Sequence, residues 1–419
     1  VVLFSTRRKL NNNMNVVNYL EKNVKLIPHL NSPSKSELFI SMELSNKILN
    51  CFPEQDWSNP NLKFLEIASN NGIVSMMIAL RLFNNEKMKL WQPNDELRLN
   101  HILKNQVYAF TYTSSGANIT KKGLYNTTNI DLNVKEVDLN NINSAKSSIK
   151  YDRIVCVPPR GTRKRLWPVY VEYAMSLCVN DGHAIHLINP NWRLKPDVKM
   201  KIKRVTNNMF RFLRKYNINN IEMDGWVDFG LRHDIVHVIN SKPTTHTLVK
   251  DCKLVEGYYN LTDMFILPNF NIDQINSLFT HDTNSRITLY ASDDCDPRRA
   301  YMSVVKTKTH KYPCINSISR NDVGYCYSSD PNKGHRYNKK VVISNGQKVW
   351  DAINDIKGEY AITNHAYGIG IDDDTDINLL TSTLNSDKFN EFLNAIKWEP
   401  REIEDYTLKF LNKNFYKML

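Results

Sequence analysis

Paired cysteines are missing from this sequence. Its seven cysteines, Cys51, Cys156, Cys178, Cys252, Cys295, Cys314 and Cys326, contain no CxxC pair and no Cys/His cluster at zinc-ligand spacing. That argues against a zinc finger or ribbon and against a small disulfide-framed scaffold. The number is odd, several lie in apolar runs, and no secretory signal precedes them, so reduced thiols in a cytoplasmic protein without a bound metal are expected. No apolar run reaches the ~18 residues that a membrane span needs, so no membrane partner is expected either.

What is present is an ordinary globular mixture with an excess of positive charge. The chain has 419 residues, 42% of them hydrophobic and 23% charged, enough for two or three domains and a sizeable core. A net charge of +12 and a pI near 9.1 favour an anionic partner. Nucleic acid is the first candidate, and a solvated basic surface is the plainer alternative.

The pattern along the chain begins with an Asn- and Lys-rich arm, residues 1–31. Apolar residues from Leu38 to Leu49 then recur at near-helical spacing. Phe64-Leu65-Glu66-Ile67 reads as a short strand, followed by the polar loop Ala68-Ser69-Asn70-Asn71-Gly72 and a helix over Val74 to Phe83. A strand feeding a tight loop and a helix N-terminus presents free backbone N–H groups to a nucleotide-like ligand. Val107 to Tyr112 and Val134 to Leu139 read as further strands. Ile154 to Val157 is a buried strand that ends at Pro158-Pro159, because proline cannot donate to a ladder. Arg160 and Gly161 fall just beyond its carboxyl end, where open α/β sheets build their crevices. Leu166 to Val179 reads as a helix, His183 to Ile188 and Ile235 to Ile239 as strands. This alternation predicts an α/β domain over residues 32–245, a largely parallel sheet covered by helices on both faces, with Phe64–Ile67 and Ile154–Val157 as adjacent central strands. Beyond it, residues 246–419 are expected to form a mixed α+β domain of short strands and closing helices. There aromatic and basic residues interleave, as in Lys306-Thr307-Lys308, His310-Lys311-Tyr312, His335-Arg336-Tyr337 and Lys339-Lys340.

Taken together, these pieces resemble the S-adenosylmethionine-dependent adenine-N6 DNA methyltransferases of restriction-modification and phage systems. Phe64 to Gly72 resembles the cofactor loop, Asp152 to Pro159 the lead-in to the catalytic Asn/Asp-Pro-Pro-aromatic motif, and Asp355 to Gly358, Ala361 to Asn364 and Leu384-Asn385-Ser386 the recognition region. The resemblance implies a Rossmann-like methyltransferase domain followed by a target-recognition domain, with double-stranded DNA as partner. It also implies that S-adenosylmethionine is held by Glu66, Ile67, Ala68, Asn70, Gly72, Thr111 and Asp138. The catalytic motif falls on Val157, Pro158, Pro159 and Arg160, and DNA contacts are expected from Arg163, Lys164, Arg165, Lys339 and Lys340.

The departures fall at the chemical positions. Val157 stands where the family has an Asn or Asp that accepts from the adenine amino group, and Arg160 where an aromatic stacks on the flipped-out base. Thr111 replaces the acid that clamps the cofactor ribose. The expectation is therefore a DNA-binding protein of this family with weak or lost methyl transfer. The alternative is an active, site-specific methyltransferase in which Asn70, Asp138 or Asp152 compensates. An RNA target has no supporting feature such as an aromatic-rich platform.

Overall fold

The computed structural model describes residues 40–69, 71–124, 132–137, 149–158, 167–193, 209–228, 231–262, 264–320, 322–346, 348–349, 351–397 and 405–419. It divides into two compact units, one through Asp263 and one from Met264. The division lies beyond the 245/246 boundary expected from composition, because two more strands join the first unit's sheet.

The first unit opens with α1 (Met42–Leu49), whose N-cap Ser41 accepts from Leu44 N–H. Then come β1 (Phe64–Ile67), α2 (Ile73–Asn84), α3 (Glu86–Trp91), α4 (Asp95–His101), β2 (Val107–Thr111), α5 (Ser114–Leu124), β3 (Asn133–Glu136), β4 (Tyr151–Cys156), α6 (Trp167–Leu177) and β5 (Cys178–Ile188). α7 (Met209–Leu213), β6 (Asn217–Asp228), β7 (Leu231–Ile239), β8 (Thr247–Lys250) and β9 (Glu256–Tyr259) complete it. The strands form one sheet in the order β3-β2-β1-β4-β5-β7-β6-β8-β9. β1 pairs in parallel with both β2 and β4, Leu65 opposite Tyr108 on one side and Ile154 on the other. The expected central pair is therefore adjacent. The chain winds outward from β1 to β3 and then returns to β4 on β1's other side, which makes the β1/β4 edge the topological switch point.

Burial explains why these runs are strands. All four residues of β1 and all five of β2 are buried, as strands covered on both faces must be. One core cluster joins Leu44 and Ile48 of α1, Ile73 and Ile78 of α2, Phe64, Val155, Val157, Ile185 and Ile235. β7 runs antiparallel to both β5 and β6, while β8 adds in parallel to β6 and β9 antiparallel to β8.

The second unit has two four-stranded sheets, β10-β17-β14-β15 and β11-β13-β12-β16. Its elements are α8 (Ile272–Ser277), β10 (Leu289–Tyr290), β11 (Met302–Ser303), β12 (Tyr312–Ser319), β13 (Asp322–Ser328), β14 (Lys340–Ser344), β15 (Ile353–Asp355), β16 (Ala361–Ile362) and β17 (Ala366–Gly370). The short helices α9 (Ile377–Leu384), α10 (Asp387–Ala395), α11 (Asp405–Leu408) and α12 (Phe415–Met418) close it. α10 starts at an N-cap, Ser386, whose hydroxyl accepts from Phe389 N–H, and its Phe389, Phe392 and Leu393 are buried. Among the described residues no helix is long and apolar enough to cross a membrane, and no three His, Cys, Asp or Glu side chains group as a metal site.

Candidate functional site

The carboxyl ends of β1, β2 and β4 meet at the switch point, and the loop leaving β1 is built as a ligand loop would be. Ala68 holds a φ of 62° and Gly72 one of 72°. The left-handed region costs a residue with a Cβ about 1–2 kcal/mol, so Ala68 is held there by its surroundings. Gly72 is needed for a second reason: a Cβ on it would come within 2.8 Å of the Thr120 Cα on α5. Ser69 Oγ lies 3.1 Å from Thr120 Oγ1, and Ser69 N–H donates to Phe110 O. Asn71 donates from Nδ2 to Ile40 O at 3.2 Å. The loop is thus pinned from β2, α5 and the lead-in to α1.

Its one carboxylate also serves the loop. Glu66 is buried, and its Oε2 accepts from Ser75 N–H at 3.0 Å and from Ser75 Oγ at 2.5 Å, in the first turn of α2. Burial raises its pKa above the ordinary 4.5, against the hydrogen bonds from Ser75 and Ser69 that pull it down. Burial disfavours the charged form and the Ser75 and Ser69 donors favour it, so these two influences set the Glu66 charge. Ile67 is fully buried beside it.

The other sequence-derived positions are occupied inward as well. Thr111 is buried at the end of β2, its hydroxyl donating toward Thr113 O at 3.3 Å and Lys135 O at 3.5 Å. An aspartate in its place would face two carbonyl oxygens. The residue opposite Thr111 in β3 is Glu136, which accepts from the Ser114 hydroxyl at 2.8 Å; sequence reasoning passed over it. Val157 is 3% exposed and belongs to the apolar core cluster with Val155, Ile185 and Leu187. Pro158 is buried behind it. A side chain at position 157 therefore packs into the core and offers no acceptor. Among the described residues expected to hold S-adenosylmethionine, Thr111 brings no carboxylate to the end of β2, and the carboxylate of Glu66 on β1 is engaged by Ser75.

Two expectations need correction. Asp152 cannot compensate for a lost catalytic group, because its Oδ2 accepts from Lys63 N–H at 2.8 Å, at the amino end of β1. Lys340 cannot contact phosphate: its side chain is fully buried and its ammonium donates to Asp355 Oδ2 at 2.7 Å, Tyr360 O at 2.8 Å, Asn338 O at 3.0 Å and His335 O at 3.2 Å. Lys339 is exposed. Asn70, Asp138, Pro159, Arg160, Arg163, Lys164 and Arg165 lie outside the described residues.

One buried group was not anticipated. Asp234, within β7, receives Arg193 Nε at 2.6 Å, Trp192 Nε1 at 2.8 Å and Asp224 N–H at 3.2 Å, with both charges fully buried. Burial works against the Arg193 charge, but the Asp234 carboxylate outweighs it and holds the guanidinium's pKa above its ordinary value. The pair anchors the turn after β5 to the sheet. Its partners are about forty residues apart in sequence, and nothing in either segment announces the other.

No protein-family profile matches the chain, and no curated protein does. Solved structures do, and what they share with the chain is an α/β fold. The chain is similar to the ATP-dependent Type ISP restriction-modification enzyme LlaBIII bound to DNA, with a TM-score of 0.53 and 7% identity over 87% of this chain and 37% of that one. It is also similar to the Type I restriction enzyme EcoKI M protein, with a TM-score of 0.39 and 8% identity over 54% of this chain and 50% of that one. A third neighbour is an O-methyltransferase from Bacillus cereus in complex with SAH, at a TM-score of 0.33 and 14% identity, covering 53% of this chain and 90% of that one. At such identities the likeness is one of fold. The chain spans half or less of the two restriction-modification proteins it matches.

Proposed function

We propose that this protein binds double-stranded DNA through a methyltransferase fold that has weak or no methyl-transfer activity of its own. The observation that carries the second half is Val157. Val157 packs in the apolar core, and the resemblance assigns to this position the group that would accept from the adenine amino group; Thr111, which it assigns to the ribose clamp, offers no carboxylate. Losing one such group costs on the order of 10²–10³ in rate. The DNA half is supported by the net charge of +12 and by the restriction-modification enzyme bound to DNA that the chain resembles over most of its length.

The chain would keep the fold's architecture and its anionic partner while the cofactor edge is sealed by its own hydrogen bonds. The test is duplex binding across a range of salt. Each neutralised phosphate contributes about −0.9 to the log–log slope, so a steep fall is expected together with no calorimetric signal for S-adenosylmethionine. Salt-insensitive or absent duplex binding would overturn the reading, and tight binding of the cofactor would restore the enzyme reading.

A further inference from the structure

We infer that the second unit reads DNA through two loops that meet at Tyr312, with Tyr337, flanked by Arg336, reaching the bases and Lys306, Lys308 and Lys311 holding the phosphates. The inference rests on the DNA-binding reading above and assigns the surface that carries it.

The first loop joins β11 to β12. Residues 304–309 and Lys311 are exposed, and the turn is fixed by Thr307 N–H donating to His310 O at 3.1 Å and His310 N–H donating to Thr307 Oγ1 at 2.9 Å. Its lysines make no carboxylate pair among the described residues, so their charge is available to a ligand. The second loop runs from Lys333 to Lys340. Arg336 lies over the Tyr312 ring at 4.9 Å and near Tyr337 at 5.7 Å, and Lys311 lies over the same Tyr312 ring at 5.3 Å. One aromatic ring therefore joins the two loops into a basic and aromatic surface.

The second loop is held in a conformation that its sequence disfavours. Gly334, His335 and Tyr337 have φ values of 66°, 56° and 72°. A bulky residue in that region is an outlier, and such outliers persist only where the surroundings enforce them. Here the enforcement is visible. The buried Lys340 ammonium holds the His335 and Asn338 carbonyls. Tyr337 N–H donates to Gly358 O at 3.1 Å and Gly334 O accepts from Ile362 N–H at 2.8 Å. Gly358 must itself be glycine, since a Cβ there would lie 2.6 Å from the Tyr337 carbonyl carbon.

All this fixes a Tyr337 side chain that is 61% exposed. An exposed ring contributes little to the core, so the loop's enforced shape is accounted for by what the ring meets outside. Arg336 Nη1 is buried and has no hydrogen-bond partner among the described residues, and the half-buried guanidinium packs against the Tyr312 and Tyr337 rings. An exposed phenol on a surface with three exposed lysines matches DNA, where aromatic rings stack on displaced bases and lysines neutralise phosphates. A protein partner would call for fewer charges at the centre of the surface.

The test uses the full chain and selection from a randomised duplex library, with binding then measured across salt. Replacing Lys306, Lys308 and Lys311 together by alanine is expected to weaken binding at least about tenfold and to lower the salt slope by about two to three. Arg336→Ala combined with Tyr337→Ala is expected to flatten the selected sequence preference while changing the slope by about one or less. Tyr337→Gly removes the ring and relieves the backbone, so it should lose sequence preference without a lower melting temperature, which a purely structural tyrosine would not do. Variants that bind and select as the unmodified chain does would overturn the inference while leaving DNA binding in place. An unmodified chain that binds no duplex, or binds single-stranded RNA in preference to it, would overturn both this inference and the reading beneath it.

Discussion

Glu66 and Lys340 are both buried ionisable residues beside a left-handed loop, one in each unit, and they serve opposite ends. Glu66 closes the β1 loop on itself: its carboxylate meets Ser75, Thr111 is tucked onto two carbonyls, and Val157 faces the core. Lys340 opens a loop outward: its ammonium binds the inner carbonyls, and the Tyr337 ring is left exposed. The same device, a buried ionisable group that organises backbone, turns one loop inward and the other outward.

The largest effect should come from Lys340→Met. It leaves Asp355 buried and unpaired, a loss of about 3–5 kcal/mol, and denaturant unfolding of the second unit should show it. Adding Asp355→Leu should recover only part of that stability, because Glu359 N–H and Tyr360 N–H also donate to this carboxylate, and should not recover the loop, whose carbonyls would have lost their donor; full recovery of DNA binding by the double variant would contradict the role given to Lys340. Next is Gly358→Ala, where the new Cβ meets Tyr337 backbone at a φ of 66°. We expect about 1–3 kcal/mol of destabilisation with weakened sequence preference, and a silent variant would break the link between Gly358 and the loop.

Val157→Asn sharpens the comparison from the other side. An amide placed in the apolar cluster should lower stability by about 1–3 kcal/mol, and combined with Arg160→Tyr it should gain no methyl transfer. A gain would mean that position 157 faces a working cleft. The smallest effect is Glu66→Gln. Because the folded pKa of Glu66 lies above its ordinary 4.5, the folded chain holds the extra proton between the two values, and stability falls as pH rises through that window. The glutamine variant should flatten that part of the stability–pH curve, and an unchanged slope would show that Glu66 does not set it.

Much of this architecture is readable from the residues alone. Phe64–Ile67 and Ile154–Val157 are short apolar runs stopped by small or rigid residues, which is what adjacent central strands require, and they pair in register. The helix expected over Val74 to Phe83 spans Ile73–Asn84. What escaped depends on long-range pairing. Lys340 looks like Lys339 in sequence, and only Asp355, fifteen residues on, reveals that it begins a strand buried along its whole length. Strands β8 and β9 follow a shift toward turn-forming residues, so their membership in the first sheet is set by β6 and not by local composition. The inward turn of Thr111 and Val157 is likewise tertiary: the substitutions are visible in sequence, but the carbonyls and core that claim those positions are not.

The most direct test is a methyl-transfer assay on the unmodified chain. It would be incubated with mixed-sequence duplex DNA, at low salt where the complex forms, and isotopically labelled S-adenosylmethionine. The account predicts a salt-sensitive complex with no label in adenine above that of a heat-denatured control. Label accumulating over many turnovers in the N6 position would contradict it, and would place the acceptor for methyl transfer somewhere other than Val157.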